Sequence, residues 1–128
     1  MTDITRVLIV AGHTAVRAEM HTIFQLADGI EVVGEAACLS EAVCQAQALR
    51  PDVALVDLET AAGEENGLSI VARLKTQHLV KAIVVLTAYD DPAAQKNALR
   101  CGATAVIIKG ADFNSMLDMI QKSVEVKR

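Results

Sequence analysis

Three residues of this chain, Asp57, Thr87 and Lys109, could do chemistry together. Each stands at the carboxyl end of a short aliphatic run: Asp57 closes DVALVD, Thr87 closes AIVVLT, and Lys109 follows TAVII. A carboxylate can act as a nucleophile toward a phosphoryl group, while a hydroxyl and an ammonium can hold the transferred oxygens. Taken singly, each has a plain reading. An Asp after a strand is often a turn or cap residue, Thr favours strands, and a Lys there is a solvated punctuation mark. At the ends of three strands in the right order, the three become a constellation.

The elements that must position them are legible as five apolar runs: RVLIV (6–10), IEVVGEA (30–36), DVALV (52–56), AIVVLT (82–87) and TAVII (104–108). They are rich in Val and Ile and too short for helices. Four are nearly continuous in hydrophobicity, as parallel strands covered on both faces are. The second is more polar and suits an edge. Amphipathic stretches separate them. Val16, Met20, Ile23, Phe24 and Ala27 recur at helical spacing, as do Leu68, Val71, Ala72 and Leu74, and Phe113, Met116, Leu117, Ile120 and Val124. Ser40 is expected to cap a helix to about Leu49, ended by Pro51 and Asp52; Asp91-Pro92 starts another and Gly102 stops it; Asp112 caps the last. The order predicts an α/β domain of five βα units over residues 1–128, with a parallel sheet and its ligand edge beyond the strands' carboxyl ends.

Composition narrows the function. The chain has 128 residues, enough for one core, and 52% are hydrophobic, yet Phe24, Tyr89 and Phe113 are its only aromatics. So few rings exclude base-stacking platforms, and a net charge of −4 opposes a phosphate-backbone interface, so no direct nucleic-acid binding is expected. No apolar run approaches the roughly 20 residues that span a bilayer, and MTDITR lacks the features of a signal peptide, so a cytoplasmic location is expected. Cys38, Cys44 and Cys101 have no metal spacing and are expected as buried reduced thiols.

The segments RVLIVAGHTAVR, IEVVGEAA, LRPDVALVDLE, VVLTAYDDP and CGATAVIIKGA, in series over nearly the whole chain, resemble the receiver domain of two-component response regulators. The likeness is greatest to the LuxR/NarL-type subfamily, whose members carry a helix-turn-helix output domain. The resemblance implies a doubly wound, CheY-like (flavodoxin-like) sheet with strand order 2-1-3-4-5. It implies Asp57 as phosphoacceptor, Thr87 as switch hydroxyl and Lys109 as basic partner of the phosphoryl group. A sensor histidine kinase is an implied partner. A protein partner or second copy would dock on the face of the fourth helix, fifth strand and fifth helix, where Gln95, Lys96 and Met119 lie. His13 and Arg17 match residues common in the subfamily and are read as contacts at the start of the first helix.

The departures are as informative. Relatives place two adjacent acids after the first strand to help hold Mg²⁺, and this chain has Ala11 and Gly12. Neither supplies a side-chain oxygen to an ion that demands hard oxygen ligands. Mg²⁺ binding is therefore expected to be weak or absent. Asp57 and Lys109 sum to zero, and a direct ion pair is expected where the metal usually sits, worth on the order of 4 kcal/mol before desolvation. After Asp57 the chain reads DLETAAGEENGL, with Thr60 and Ala61 in place of the usual Met-Pro and about two extra residues before Gly67. Glu59, Glu64 and Glu65 are read as solvated charges, with a substitute metal ligand as the alternative. Val106 occupies the place of the usual signalling aromatic, and Tyr89 is not given its role.

The expectation is an atypical receiver, a signalling module and not an enzyme, with impaired Mg²⁺-dependent phosphorylation. The alternatives are a conventional receiver phosphorylated at Asp57 that controls a DNA-binding domain, and a small aspartate-nucleophile phosphatase, which Asp57-Leu58-Glu59 faintly resembles. The phosphatase lacks a second Asp as general acid. Nucleotide or flavin binding is disfavoured because VAGHTAVR has one glycine where a pyrophosphate cradle needs several.

Overall fold

Val7–Val10, Val53–Asp57 and Ala82–Thr87 are buried without a break, because each strand is covered on both faces. The computed structural model describes residues 4–62 and 65–126. The chain runs β1 (Thr5–Val10), α1 (Thr14–Gln25), β2 (Ile30–Ala36), α2 (Leu39–Leu49) and β3 (Val53–Asp57). It continues through α3 (Gly67–Thr76), β4 (Ala82–Thr87), α4 (Pro92–Cys101), β5 (Ala105–Ile108) and α5 (Phe113–Val126). The five strands form a parallel sheet in the order β2-β1-β3-β4-β5, the predicted topology, with the polar second strand at an edge.

Strand periodicity sorts the core into two layers. Leu8, Val10, Ala54, Val56, Ile83 and Val85 face Ala42, Ala46, Ile70, Val71, Leu74 and Ala98 of α2, α3 and α4. Their sequence neighbours Val7, Ile9, Val53, Leu55, Val84 and Leu86 face Met20 and Phe24 of α1 and Met116 and Ile120 of α5. A one-residue register slip would exchange the two layers.

Several local expectations are corrected. Ser40 lies inside α2, and the cap position is Cys38, which makes no side-chain cap bond. The carboxylate of Glu41 accepts from the Ala37 amide at 2.8 Å instead, satisfying a backbone donor at the helix start. None of the three thiols is buried: Cys44 is exposed on α2, Cys38 is half-buried at the α2 cap position, and Cys101 is half-buried at the end of α4, where it packs partly against the core. Phe113 is exposed at the start of α5. The caps at Asp91 and Asp112 form as predicted, accepting from Ala93 N at 3.0 Å and Ser115 N at 2.9 Å. Pro92 and Gly102 bound α4 as expected.

The long connection after β3 folds back on itself. Ala61–Ala62 pairs antiparallel with Glu65–Asn66, a small hairpin before α3. Glu64 lies outside the described residues. Gly67 then packs against β3's exit: a Cβ there would stand 2.5 Å from the Leu58 carbonyl oxygen. Only glycine permits that approach.

Candidate functional site

The carboxyl ends of β3, β4 and β5 bring Asp57, Thr87 and Lys109 to one edge of the sheet. Adjacent register places them: Asp57 pairs with Leu86, and Thr87 with Ile108. The Lys109 amide donates to the Thr87 carbonyl at 2.7 Å, and Gly110 at φ +95° turns the chain sharply behind it. That conformation suits glycine.

Asp57 is 1% exposed, and its Oδ1 lies 3.1 Å from Lys109 Nζ. The ion pair expected from the sequence is present. Oδ1 also accepts from the Glu59 amide at 3.1 Å, whereas the buried Oδ2 has no donor among the described residues. One carboxylate oxygen is thus held by a cation and an amide, and the other is free of hydrogen bonds.

Glu59 corrects the sequence reading. It is not a solvated charge: its Oε2 accepts from the Thr87 hydroxyl at 2.8 Å and its Oε1 from the Ala88 amide at 2.7 Å. The same Oε1 is 3.3 Å from Lys109 Nζ. Thr87 Oγ1 in turn accepts from the Tyr89 amide at 3.2 Å, tying down the loop that leads to α4. Asp57 and Thr87 are therefore linked through Glu59 and Lys109. With Glu59 included, the formal charge of the cleft is −1 (two carboxylates, one ammonium), not zero as the Asp57–Lys109 pair alone predicts. Burial disfavours the Lys109 ammonium, but hydrogen bonds and charge from Asp57, then Glu59, outweigh it and hold the lysine above its ordinary 10.5.

The neighbouring loop, after β1, is also closed by other means. The Gly12 amide donates to Thr60 Oγ1 at 3.1 Å, and Thr60 is almost wholly buried. Arg17 donates to the Ala11 carbonyl at 2.7 Å and pairs with Glu35 at 3.4 Å. Its guanidinium thus lies against the residue that stands where the receiver resemblance implies an acid. Mg²⁺ prefers a tight shell of hard oxygens. Ala11 and Gly12 offer no side-chain oxygen, both Glu59 oxygens are engaged, and Lys109 already lies against Asp57. The residues present do not fit that ion, and among the described residues no three His, Cys, Asp or Glu side chains gather as a metal site.

The profile of the response regulator receiver domain matches residues 7–121. The chain belongs to that family. Among curated relatives, it is 30% identical over 116 residues to the response regulator GacA of Pseudomonas protegens, covering 91% of this chain and 54% of that protein. It is 29% identical over 123 residues to the sensory transduction protein LytT of Bacillus cereus, covering 96% and 48%. The receiver therefore spans about half the length of these relatives. Solved structures with the same fold include the signal receiver domain of NarL from Mycobacterium tuberculosis (TM-score 0.85, 24% identity, 96% of this chain and 98% of that one). A LuxR-family two-component response regulator from Aurantimonas sp. SI85-9A1 is another (TM-score 0.86, 22% identity, 98% and 89%).

Elsewhere on the receiver, Lys96 is exposed, Gln95 is half-buried and Met119 packs partly onto the core, so the three do not form one exposed patch. Tyr89 is 64% exposed and Val106 packs partly into the α2–α4 layer. No helix among the described residues is long and apolar enough to cross a membrane.

Proposed function

We propose that this receiver is a signalling interaction module whose output is set without ordinary Mg²⁺-dependent phosphorylation of Asp57. The observation that carries the reading is the direct Asp57–Lys109 contact at 3.1 Å, in a cleft where Ala11 and Gly12 replace the acidic pair. A phosphoryl transfer site gathers positive charge to stabilise the transferring group, and a divalent ion is its usual main source. Here the lysine is engaged by two carboxylates instead. The partners in this reading are a sensor histidine kinase, as the response regulator relatives imply, and a protein or second copy docked on the α4–β5–α5 face. The setting is cytoplasmic, the module is not an enzyme, and any DNA-binding output belongs to another domain.

The test is Mg²⁺ titration of the wild type beside the double variant Ala11→Asp with Gly12→Asp. Metal affinity regained in the variant alone supports the reading. Equal affinity in both defeats it.

One observation favours a conventional receiver phosphorylated at Asp57: Oδ2 is free of donors and could act as the nucleophile. Beryllofluoride with millimolar Mg²⁺ separates the two readings. Shifts of the wild-type amides around Asp57 and Thr87 would favour the conventional one.

A further inference from the structure

Glu59 makes contacts that an acidic loop residue on a protein surface does not make. Three donors from different places converge on its carboxylate: the Thr87 hydroxyl at the end of β4, the Ala88 amide in the following loop, and the Lys109 ammonium beyond β5. The backbone delivers it there by a tight turn, in which the Thr60 amide donates to the Asp57 carbonyl at 3.0 Å and the Glu59 amide to Asp57 Oδ1 at 3.1 Å. Leu58, between the two acids, packs toward the α2–α4 layer, so Asp57 and Glu59 both serve the cleft.

We infer that the carboxylate of Glu59 is the resident ligand of an oxyanion seat formed by Thr87, the Ala88 amide and Lys109, donors of which the receiver resemblance already assigns Thr87 and Lys109 to a phosphoryl group. A hydroxyl, an amide and an ammonium aimed at one point make a general receptor for a carboxylate or phosphate oxygen pair. An oxyanion joined to Asp57 would draw on the same three donors and must first displace Glu59. Until then, the chain supplies its own anion, and the hydroxyl of Thr87 is held toward the cleft with the Tyr89 amide bound behind it. The loop into α4 is fixed by an internal contact, independent of any added group. This deepens the receiver reading and rests on it for its signalling meaning, but its test uses no metal and stands or falls apart from the Mg²⁺ titration.

The experiment follows amide hydrogen exchange at Ala88 and Tyr89 by NMR in the wild type, Glu59→Ala, the near-isosteric Glu59→Gln, and Glu59→Ala combined with Asp57→Asn. Chelator is present throughout. Glu59→Ala is expected to speed exchange at Ala88 by about ten-fold, with a smaller effect at Tyr89, while β1 and β3 amides stay protected. Glu59→Gln keeps one acceptor oxygen and should fall between. Inorganic phosphate on the order of 10 mM should restore Ala88 protection in the emptied seat, more tightly in the double variant because one opposing carboxylate is gone, and chloride at matched ionic strength should not. Wild-type exchange at Ala88 retained in both Glu59 variants would overturn the inference. So would an Ala88 amide that stays indifferent to phosphate in both variants carrying Glu59→Ala.

Discussion

Lys109→Met is the perturbation that examines the cleft most directly. Lys109 lies 3.1 Å from Asp57 and 3.3 Å from Glu59, with its own side chain 30% exposed and Asp57 1% exposed. At an effective dielectric of about 20, each contact is worth about 5 kcal/mol before desolvation is subtracted. Most of that is offset by removing the charges from water. The measurable effect comes from stranding two carboxylates beside each other, one of them buried. Breaking a buried pair typically costs about 3–5 kcal/mol; with a partly exposed lysine we expect about 3 kcal/mol, or on the order of 10 °C in Tm. Urea unfolding at neutral pH gives the number directly. Adding Asp57→Asn to Lys109→Met should recover at least about 1 kcal/mol, because the buried one of the two stranded charges is then gone. The pH dependence has a definite sign. The folded-state pKa of Lys109 lies above 10.5, so its stabilisation is full below that value and is lost as pH rises through the folded pKa. The gap between wild type and variant should therefore close on the alkaline side. A Lys109→Met variant within about 0.5 kcal/mol of wild type at pH 7 would refute the ion-pair account of this cleft.

Three other substitutions probe the frame around it. Thr60→Val removes the acceptor for the Gly12 amide and should destabilise by about 1–2 kcal/mol in urea; an unchanged midpoint would mean that the two loops are not tied in solution. Gly67→Ala places a Cβ 2.5 Å from the Leu58 carbonyl oxygen and should cost about 2–3 kcal/mol by thermal unfolding, with chemical-shift changes reaching Glu59. Asp91→Ala deletes the cap on Ala93 N and should cost about 1 kcal/mol with faster exchange confined to the first turn of α4.

The fold was legible because each strand is a short aliphatic run that stops at a polar residue. That same stopping rule exposed Asp57, Thr87 and Lys109, which close β3, end β4 and follow β5. Glu59 was missed because it follows the strand by two residues and sits among other acids, a context in which most glutamates are solvated. A usable signal was present: Leu58 between two acids has strand-like alternation, which continues the phase that turns Asp57 toward the cleft. The hairpin at Ala61–Ala62 and Glu65–Asn66 was read only as added length, since two-residue arms leave no periodicity to detect. Ser40 reads as a cap because a serine hydroxyl is a good acceptor for a helix-start amide. Here the carboxylate of Glu41 serves the amide of Ala37 instead.

Tyr89 is the sole tyrosine, and the chain has no tryptophan. Its ring is largely in solvent, yet its amide is bound to the Thr87 hydroxyl two residues away. Tyrosine emission from the native protein therefore originates at one place, the segment that follows the cleft. Nature has labelled that segment with a fluorophore, and its anisotropy can be watched on the unmodified chain while ligands are added.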